Sequence, residues 1–485
     1  MKKITGRILV PGGVLSPGEL RKIVSTAHYY HTHSVAFGNR QDILMAVNEN
    51  FLDETKRRLS GGQYHFTTGH SLNNIVTSFA ARNVFHSTPW LTEGVYLEIL
   101  STFTKELSLK VNITDPYQSL VTLFSGQLNF VASHHDNYWY LFLNLDSSSK
   151  PYLWPVLIDG NEIGAFSETI EELVKAGSIN MSPVRIETSV YNSRTWNFRI
   201  MDKPLSISSF RFQNYEGFHS MGEKFWLGIY QRDGRFPVNF LENLCILCLQ
   251  TNIGSVNITP WNSLLIKNIE EKDVLLWENL LGQFGINTGH SHLELNWYLP
   301  ESDSNSLKLK NYIFKRFEKT GLRTEGLTFG IGKENDSQNP DTSIIIKTKT
   351  LGGLPGFIPL FKNYSVSYRK NFDPNSNEII PFADGLKRRN LPDILAYLCS
   401  MYYKSLSGSV AVNPPIVQSI EKEELVQEVF QCKNCLTVYD PLVGDEFQNI
   451  LPGTPFEHLP QNYQCPLCEE NKESFNKVKL EKIGI

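Results

Sequence analysis

Four of the seven cysteines stand in a pattern that can do chemistry: Cys432 and Cys435 in the run CKNC, and Cys465 and Cys468 in CPLC. Two residues between cysteines allow a tight knuckle that aims both sulfurs at one point. Two such knuckles supply four thiolates in a tetrahedron, a donor set that suits iron or zinc. Paired Cys-x-x-Cys motifs at this separation are a far stronger metal signal than one alone.

The residues between the knuckles separate the two metals. Val438-Tyr439-Asp440-Pro441 follows the first knuckle, then Gly444-Asp445, Pro452-Gly453-Thr454, Phe456 and Leu459-Pro460. Cys465-Pro466-x-Cys468, Lys472 and Phe475 complete the set. On these residues the segment resembles rubredoxin, whereas a zinc ribbon shares the knuckles but not the filling. The resemblance implies one iron on Cys432, Cys435, Cys465 and Cys468, cycling between Fe3+ and Fe2+. It also implies Tyr439, Phe456, Tyr463 and Phe475 packed around the metal. Structural zinc in the same site is the alternative. Leu436 and Glu469 stand where the family usually has glycine, and Tyr463 where it usually has tryptophan. Glycine there leaves amides close to sulfur unhindered, so these departures bear on the reduction potential.

The segment is acidic. Asp440, Asp445, Glu446, Glu457, Glu469, Glu470 and Glu473 face only Lys433 and Lys472. Four thiolates around Fe3+ add a further negative charge. An acidic electron carrier docks on a basic partner surface with salt-sensitive rates, and the same charge serves solubility.

Other reactive residue types read as structural. Cys245 and Cys248 share one face of a helix in NLCILCLQ, among aliphatic neighbours, and Cys399 lies on an apolar helix. Buried cysteine packs as a small hydrophobe. His28, His31 and His33 cluster, and His134-His135 form a pair, but no Asp, Glu or Cys accompanies them at ligand spacing. They read as surface or hydrogen-bonded histidines. Gly352-Gly353-Leu354-Pro355-Gly356 reads as turns, and no dinucleotide or P-loop glycine motif occurs.

The elements that must hold this site belong to a chain of 485 residues, 41% apolar and 20% charged, with net charge −4. That describes several packed domains and excludes general nucleic-acid binding. Four of the seven cysteines serve the metal pattern, which argues against a disulfide framework and for a reducing compartment. MKKITGRILVPGG lacks a signal-peptide apolar core, and apolar runs such as 138–145 and 244–249 are too short to span a bilayer. The expected location is the cytoplasm.

Residues 6–11 read as a strand. Ser16-Pro17-Gly18-Glu19 opens a helix with a capping box and an apolar stripe at Leu20, Ile23, Val24 and Ala27. Two strand-like pieces joined at Gly38-Asn39 follow, then a helix over 52–59. The same order returns as a strand at 225–230, a helix at 237–250, a strand pair at 255–269 and a helix at 272–284. Laid without gaps, Ser34-Val35 meets Ser255-Val256, Phe37 meets Ile258, Arg40-Gln41 meets Trp261-Asn262, and Ile43-Leu44-Met45 meets Leu264-Leu265-Ile266. Between the copies, 138–146 and 154–160 read as strands, and 167–176 as a helix capped by Ser167. Beyond them, 343–348 reads as a buried strand and 391–403 as a helix.

Pro11-Gly12-Gly13, the following helix, Arg40-Gln41 and Thr259-Pro260-Trp261-Asn262 resemble the ferredoxin-like half-domains of siroheme-dependent nitrite and sulfite reductases. The implied fold class is α+β: a reductase-like body with two ferredoxin-like half-domains, plus a small metal-bound rubredoxin-like β fold. The expected domains are half-domains at 1–74 and 223–299, an inserted α/β domain at 75–222 and a degenerate later domain at 300–404. A linker at 405–428, rich in Ser, Gly and Pro, leads to the rubredoxin domain at 429–478. The resemblance places Arg40 near an anionic substrate. It also implies a siroheme bridged to a [4Fe–4S] cluster through four cysteines of the later domain. Between Cys248 and Cys432 this chain has only Cys399, so both groups are expected to be absent.

The expected function is one-electron transfer, delivering electrons in assimilatory nitrite, nitrate or sulfite reduction. The expected partners are a reductase that donates electrons and one that accepts them. An active siroheme-type reductase and a non-redox scaffold with structural zinc are the alternatives.

Overall fold

A computed structural model describes residues 3–62, 64–69, 71–145, 151–176, 182–300, 303–334, 336, 339–351, 361–406, 428–435, 438–439, 445, 448, 450, 454–466, 468 and 470–479. The expected linker at 405–428 falls almost wholly outside the described residues, as do the glycine-rich turns at 352–356. The chain forms two compact units, Met1–Gln418 and Ser419–Ile485.

The larger unit opens with β1 (Lys3–Leu9), a 3-10 turn at Pro11–Gly13, β2 (Val14–Leu15) and α1 (Pro17–Tyr29). The capping box at the start of α1 is formed: Glu19 N donates to Ser16 Oγ at 3.2 Å, and Ser16 N donates to Glu19 Oε2 at 3.0 Å. Leu20, Ile23, Val24 and Ala27 are fully buried, as the stripe predicts. β3 (Ser34–Phe37), β4 (Ile43–Asn48), α2 (Leu52–Arg58) and β5 (His65–Thr68) complete this copy.

The inserted segment carries β6 (Val76–Thr77), α3 (Glu93–Ser101), β7 (Val111–Thr114), β8 (Leu128–Ala132), β9 (Tyr138–Leu143), β10 (Tyr152–Leu153), β11 (Val156–Asp159), α4 (Ile163–Ala176), α5 (Pro183–Ser193) and β12 (Phe198–Ile200). Its sheet runs β12-β11-β9-β8-β7-β6, with β10 beside β9. One face packs α3, α4 and α5 over Phe130, Trp139, Leu141 and Trp154. Ser167 does not cap α4. The helix starts four residues earlier, after a 3-10 turn at Gly160–Glu162 whose cap is Asp159. Ser167 Oγ instead donates back to the Ile163 carbonyl at 2.8 Å, the usual recourse of a serine inside a helix. Serine in front of an acidic run looks the same in sequence whether it begins a helix or lies within one.

The second copy comprises β13 (Gly217–Met221), β14 (Lys224–Tyr230), β15 (Arg235–Pro237), α6 (Val238–Gln250), β16 (Val256–Ile258), β17 (Ser263–Glu270) and α7 (Val274–Gln283). The gapless alignment extends well beyond the residues that suggested it. β1 maps onto β14, the Pro11–Gly13 turn onto Arg232–Gly234, and α1 onto α6, each with the same first and last positions.

The two copies exchange strands. β15 of the second pairs with β3 of the first, and β2 of the first pairs with β16 of the second. Their hydrophobic residues form one continuous cluster with α1 packed on α6. The two half-domains are therefore a single interlocked core with approximate two-fold symmetry.

Gln41 and Asn262, equivalent in the alignment, close that interlock. Both hold left-handed backbone, φ 58° and 57°. Gln41 Nε2 donates to the Ile258 carbonyl at 3.0 Å, and Asn262 Nδ2 donates to the Phe37 carbonyl, so each copy caps the equivalent carbonyl of the other. Gln41 also ties in the inserted segment: Nε2 donates to Thr77 O at 3.1 Å, and Oε1 accepts from Thr77 N at 2.9 Å. Gly13, at φ 70°, makes room, because a Cβ there would lie 2.8 Å from the Ile258 oxygen.

The later part of the body is a mixed sheet, ordered β18 (Trp297–Tyr298), β19 (Phe329–Lys333), β20 (Ile344–Leu351), β21 (Phe361–Arg369) and β22 (Ile379–Leu386). α8 (Ser304–Thr320) and α9 (Leu391–Leu406) pack on it through Ile313, Phe317, Leu395 and Leu398. The smaller unit is built on β23 (Glu428–Cys432), β24 (Val438–Tyr439) and β25 (Phe475–Lys479), ordered β24-β23-β25 and antiparallel throughout. Among the described residues, no helix is long and apolar enough to cross a membrane.

Gln41→Ala would leave buried backbone groups of Thr77 and Ile258 without partners. Each such loss costs about 1–3 kcal/mol, so the larger unit should lose about 3 kcal/mol in urea denaturation. Arg58→Ala, at an exposed ion pair with Glu54 beside the Tyr29 ring, should shift the transition far less.

Candidate metal centre

Cys432 ends β23 opposite Phe475 of β25, and the chain turns sharply to bring Cys435 back. Lys433 N donates to the Ser474 carbonyl at 2.9 Å, fastening this knuckle to the segment before β25. The second knuckle is closed by Cys465 N donating to Glu470 O at 2.7 Å. The four sulfurs then converge. Cys432 Sγ lies 3.6 Å from Cys468 Sγ, Cys435 Sγ lies 3.3 Å from Cys465 Sγ, and all four fall within 4.8 Å of one another. Metal–sulfur bonds of about 2.3 Å place tetrahedral sulfurs about 3.8 Å apart, so one ion fits this cage.

Burial is uneven. Cys432 and Cys465 are buried, while Cys435 and Cys468 are partly exposed. This places one side of the site near solvent. The electrostatics call for a cation. The Glu470 amide favours a Cys468 thiolate, yet partial desolvation and the thiols of Cys435, Cys432 and Cys465 push it up to about 12. Four crowded sulfurs become thiolates together only around a positive ion.

The aromatic lining forms as expected. Tyr439, Phe456, Tyr463 and Phe475 make a connected cluster with ring centroids 5.3–6.5 Å apart. Phe430 joins it, stacked on Phe456 at 4.0 Å and 9°. Sequence reading missed Phe430, although its place two residues before Cys432 on a strand puts both on one face. Three side chains secure the loops. Tyr439 OH donates to Thr454 O at 2.8 Å, and Tyr463 OH donates to Asp445 Oδ2 at 3.1 Å. Lys472 Nζ donates to the Leu459 and Glu457 carbonyls while lying over the Phe456 ring. Leu436, Glu469, Asp440, Pro441, Gly444, Pro452 and Gly453 lie outside the described residues.

The other cysteines are core residues. Cys245 and Cys248 on α6 are fully buried in the interlocked core, and Cys399 on α9 in the core of the later sheet. Burial pushes the Cys245 and Cys399 thiols up to about 12 and raises Cys248 as well. They do not fit a cubane cluster, which needs four convergent thiolates.

Arg40 lies on the wall of a cleft of about 550 Å³ that Arg7, Lys110, Tyr298, Asp336 and Asp341 also line. Its guanidinium donates to the Asn74 carbonyl at 2.8 Å, the Val111 carbonyl at 2.9 Å and Asn112 Oδ1 at 3.2 Å. It thus braces β7 and the segment before β6 against the first half-domain.

The rubredoxin family model matches residues 429–475. The segment is 51% identical over 47 residues to "Probable rubredoxin HupJ" of Rhodobacter capsulatus, covering 10% of this chain and 17% of that protein. It is 41% identical over 58 residues to "High molecular weight rubredoxin" of Moorella thermoacetica, covering 12% and 25%. The chain thus spans a quarter or less of these relatives. The body is similar to the solved structure of the Mycobacterium tuberculosis NirA protein, with a TM-score of 0.60, 15% identity, and 86% of this chain and 83% of that one covered.

Residues 429–475 are a rubredoxin domain, and its four cysteines imply a single iron centre. The body shares the fold of the NirA protein, in keeping with the fold class that the sequence resemblance implied.

Cys465→Ser should abolish stoichiometric iron and the thiolate-to-iron visible absorption, measured by metal analysis and spectrophotometry. The thermal transition of the larger unit should stay in place, because its core contains none of the four ligands.

Proposed function

We propose that this chain is a one-electron carrier serving the assimilatory reduction of nitrite, nitrate or sulfite, rather than an autonomous reductase. The convergent sulfurs of Cys432, Cys435, Cys465 and Cys468, inside a rubredoxin domain, carry the reading. Iron held there supplies an Fe3+/Fe2+ couple. Cys432, Cys435, Cys465 and Cys468 would hold the ion, and the aromatic cluster of Tyr439, Phe456, Tyr463 and Phe475 packs with these cysteines. Cys435 and Cys468, the partly exposed pair, mark the side nearest an external partner.

The reductase-like body supports a role beside a true reductase. It has the fold but no thiol set for an iron–sulfur cluster, so multi-electron chemistry belongs to another protein. The body docks near that protein, and the chain between the two units tethers the carrier there, raising its effective concentration. Arg40 adds positive charge to the cleft while bracing its wall. The half-domain, inserted, later, linker and rubredoxin segments at 1–74 with 223–299, 75–222, 300–404, 405–428 and 429–478 divide this labour. Placement in the assimilatory context rests on fold analogy. The partners are a donor that reduces the iron and a reductase that accepts its electron, both offering basic surfaces to exposed Glu457, Glu470 and Glu473.

The test is reoxidation of the dithionite-reduced chain, followed by the return of its visible absorption. A siroheme nitrite or sulfite reductase from the same organism, together with its substrate, should accelerate reoxidation at least tenfold over either alone. No acceleration with either reductase removes the proposed role, and colourless protein with stoichiometric zinc removes electron transfer itself. Where transfer occurs, its second-order rate should fall several-fold between about 50 and 500 mM salt, as screening shortens the reach of the acidic surface.

A further inference from the structure

The hairpin joining β8 to β9 carries His134 and His135, and the structure brings a third ligand-type residue to them. Asp202 follows β12 by two residues. His134 Nε2 lies 3.2 Å from Asp202 Oδ1, and His135 Nε2 lies 3.0 Å from the same oxygen. One ligand atom from each of the three falls within 4.8 Å of the others. We propose that His134, His135 and Asp202 form a binding site for one divalent transition-metal ion of zinc type, separate from the four-cysteine centre.

The geometry suits one ion. Zinc binds imidazole nitrogen at about 2.0–2.1 Å and carboxylate oxygen at about 2.0–2.2 Å, so tetrahedral ligand atoms stand about 3.4 Å apart. Both nitrogen–oxygen separations lie close to that edge. Two imidazoles present the same ring nitrogen to one carboxylate, with their centroids only 3.9 Å apart.

The ligands are also held before any ion arrives. Ser133 Oγ accepts from His135 N at 3.0 Å and donates to His135 O at 3.2 Å, locking the turn. Ser133 N donates to Tyr138 O at 3.0 Å, and Tyr138 N to His135 O at 3.1 Å. On the other side, buried Tyr140 donates to the Lys203 carbonyl at 2.8 Å, fixing the backbone next to Asp202. Met201 and Leu205 pack on the small cluster of Leu123, Val131, Tyr140 and Leu157. Asp202 therefore sits on a strap pinned on both sides. An exposed ion pair usually loses its gain to side-chain entropy, and this framework reduces that loss.

The donor set differs from the cysteine cage. Two imidazoles and a carboxylate are harder than four thiolates and suit zinc, nickel or ferrous iron. Three protein ligands leave at least one coordination position. The His135 side chain is 18% exposed, His134 34% and Asp202 49%, so that position faces solvent and takes water or a small anion. This is an open, exchangeable site and not a closed structural one.

The test uses the full chain as purified, with its four-cysteine site filled. Zn2+ is titrated by isothermal calorimetry while the visible absorption of the iron is monitored. One further equivalent should bind with micromolar affinity while that absorption stays constant. Asp202→Ala and His135→Ala should each weaken it at least tenfold. His31→Ala, in the other histidine group, should leave it unchanged. All three side chains are at least partly exposed, and circular dichroism checks that the variants stay folded. No saturable heat, or binding undiminished in both Asp202→Ala and His135→Ala, would make the trio an ordinary ion pair and overturn the proposal.

Discussion

Four sulfurs held within 4.8 Å of one another cannot all carry negative charge unless a cation sits among them. The small unit is organised around that constraint. Among the described residues its sheet has three strands, and its apolar cluster is chiefly five aromatic rings, Leu459 and the cysteines themselves. A core of that size supplies little stability by burial alone, so the metal is part of the fold. The tyrosines of the cluster are tied by hydroxyl to Thr454 and Asp445, and Lys472 spans two carbonyls over the Phe456 ring. These contacts secure the loops that present the sulfurs.

The body answers to a different constraint. Its centre is two copies of one α/β unit, each incomplete without a strand from the other. Strand exchange places β2 and β15 in each other's sheets, and Gln41 and Asn262 cap reciprocal carbonyls across the pseudo-two-fold. The interlock uses backbone pairing and aliphatic packing, none of which involves a cofactor ligand. A chain can therefore keep this architecture without the cysteines for an iron–sulfur cluster. The inserted segment is held to it by polar anchors: Gln41 to Thr77, Arg40 to Asn74 and Val111, and buried Lys267 to Glu93 and the Phe79 carbonyl. Gln41 and Arg40, the latter placed near an anionic substrate by the sequence resemblance, thus both belong to the joint of the body.

One chain accordingly combines a small unit built around a four-thiolate site with a larger unit whose cores contain none of those four cysteines. Among the described residues, the four-thiolate group lies in the first. The second offers a cleft of about 550 Å³ lined by Arg7, Arg40, Lys110, Asp336 and Asp341. This division explains why the thiols separate cleanly into two classes. Four converge at one point, two of them partly exposed, and three are buried in the body's apolar cores, where burial raises their pKa.

The amino-acid sequence alone determined the metal centre, because knuckle spacing and turn chemistry are local and a rubredoxin site is almost entirely contiguous. It also determined the repeat, the capped helix α1 and the buried strand β20, each resting on a period or cap readable within a few residues. The start of α4 was not readable, since an interior serine and a capping serine differ only in the backbone around them. The role of Gln41, the exchange of β2 with β15 and the arrival of Asp202 beside His134 and His135 were decided by tertiary structure alone. Each joins positions far apart in the chain, and no local pattern encodes which distant carbonyl, strand edge or carboxylate the packed core will bring into reach.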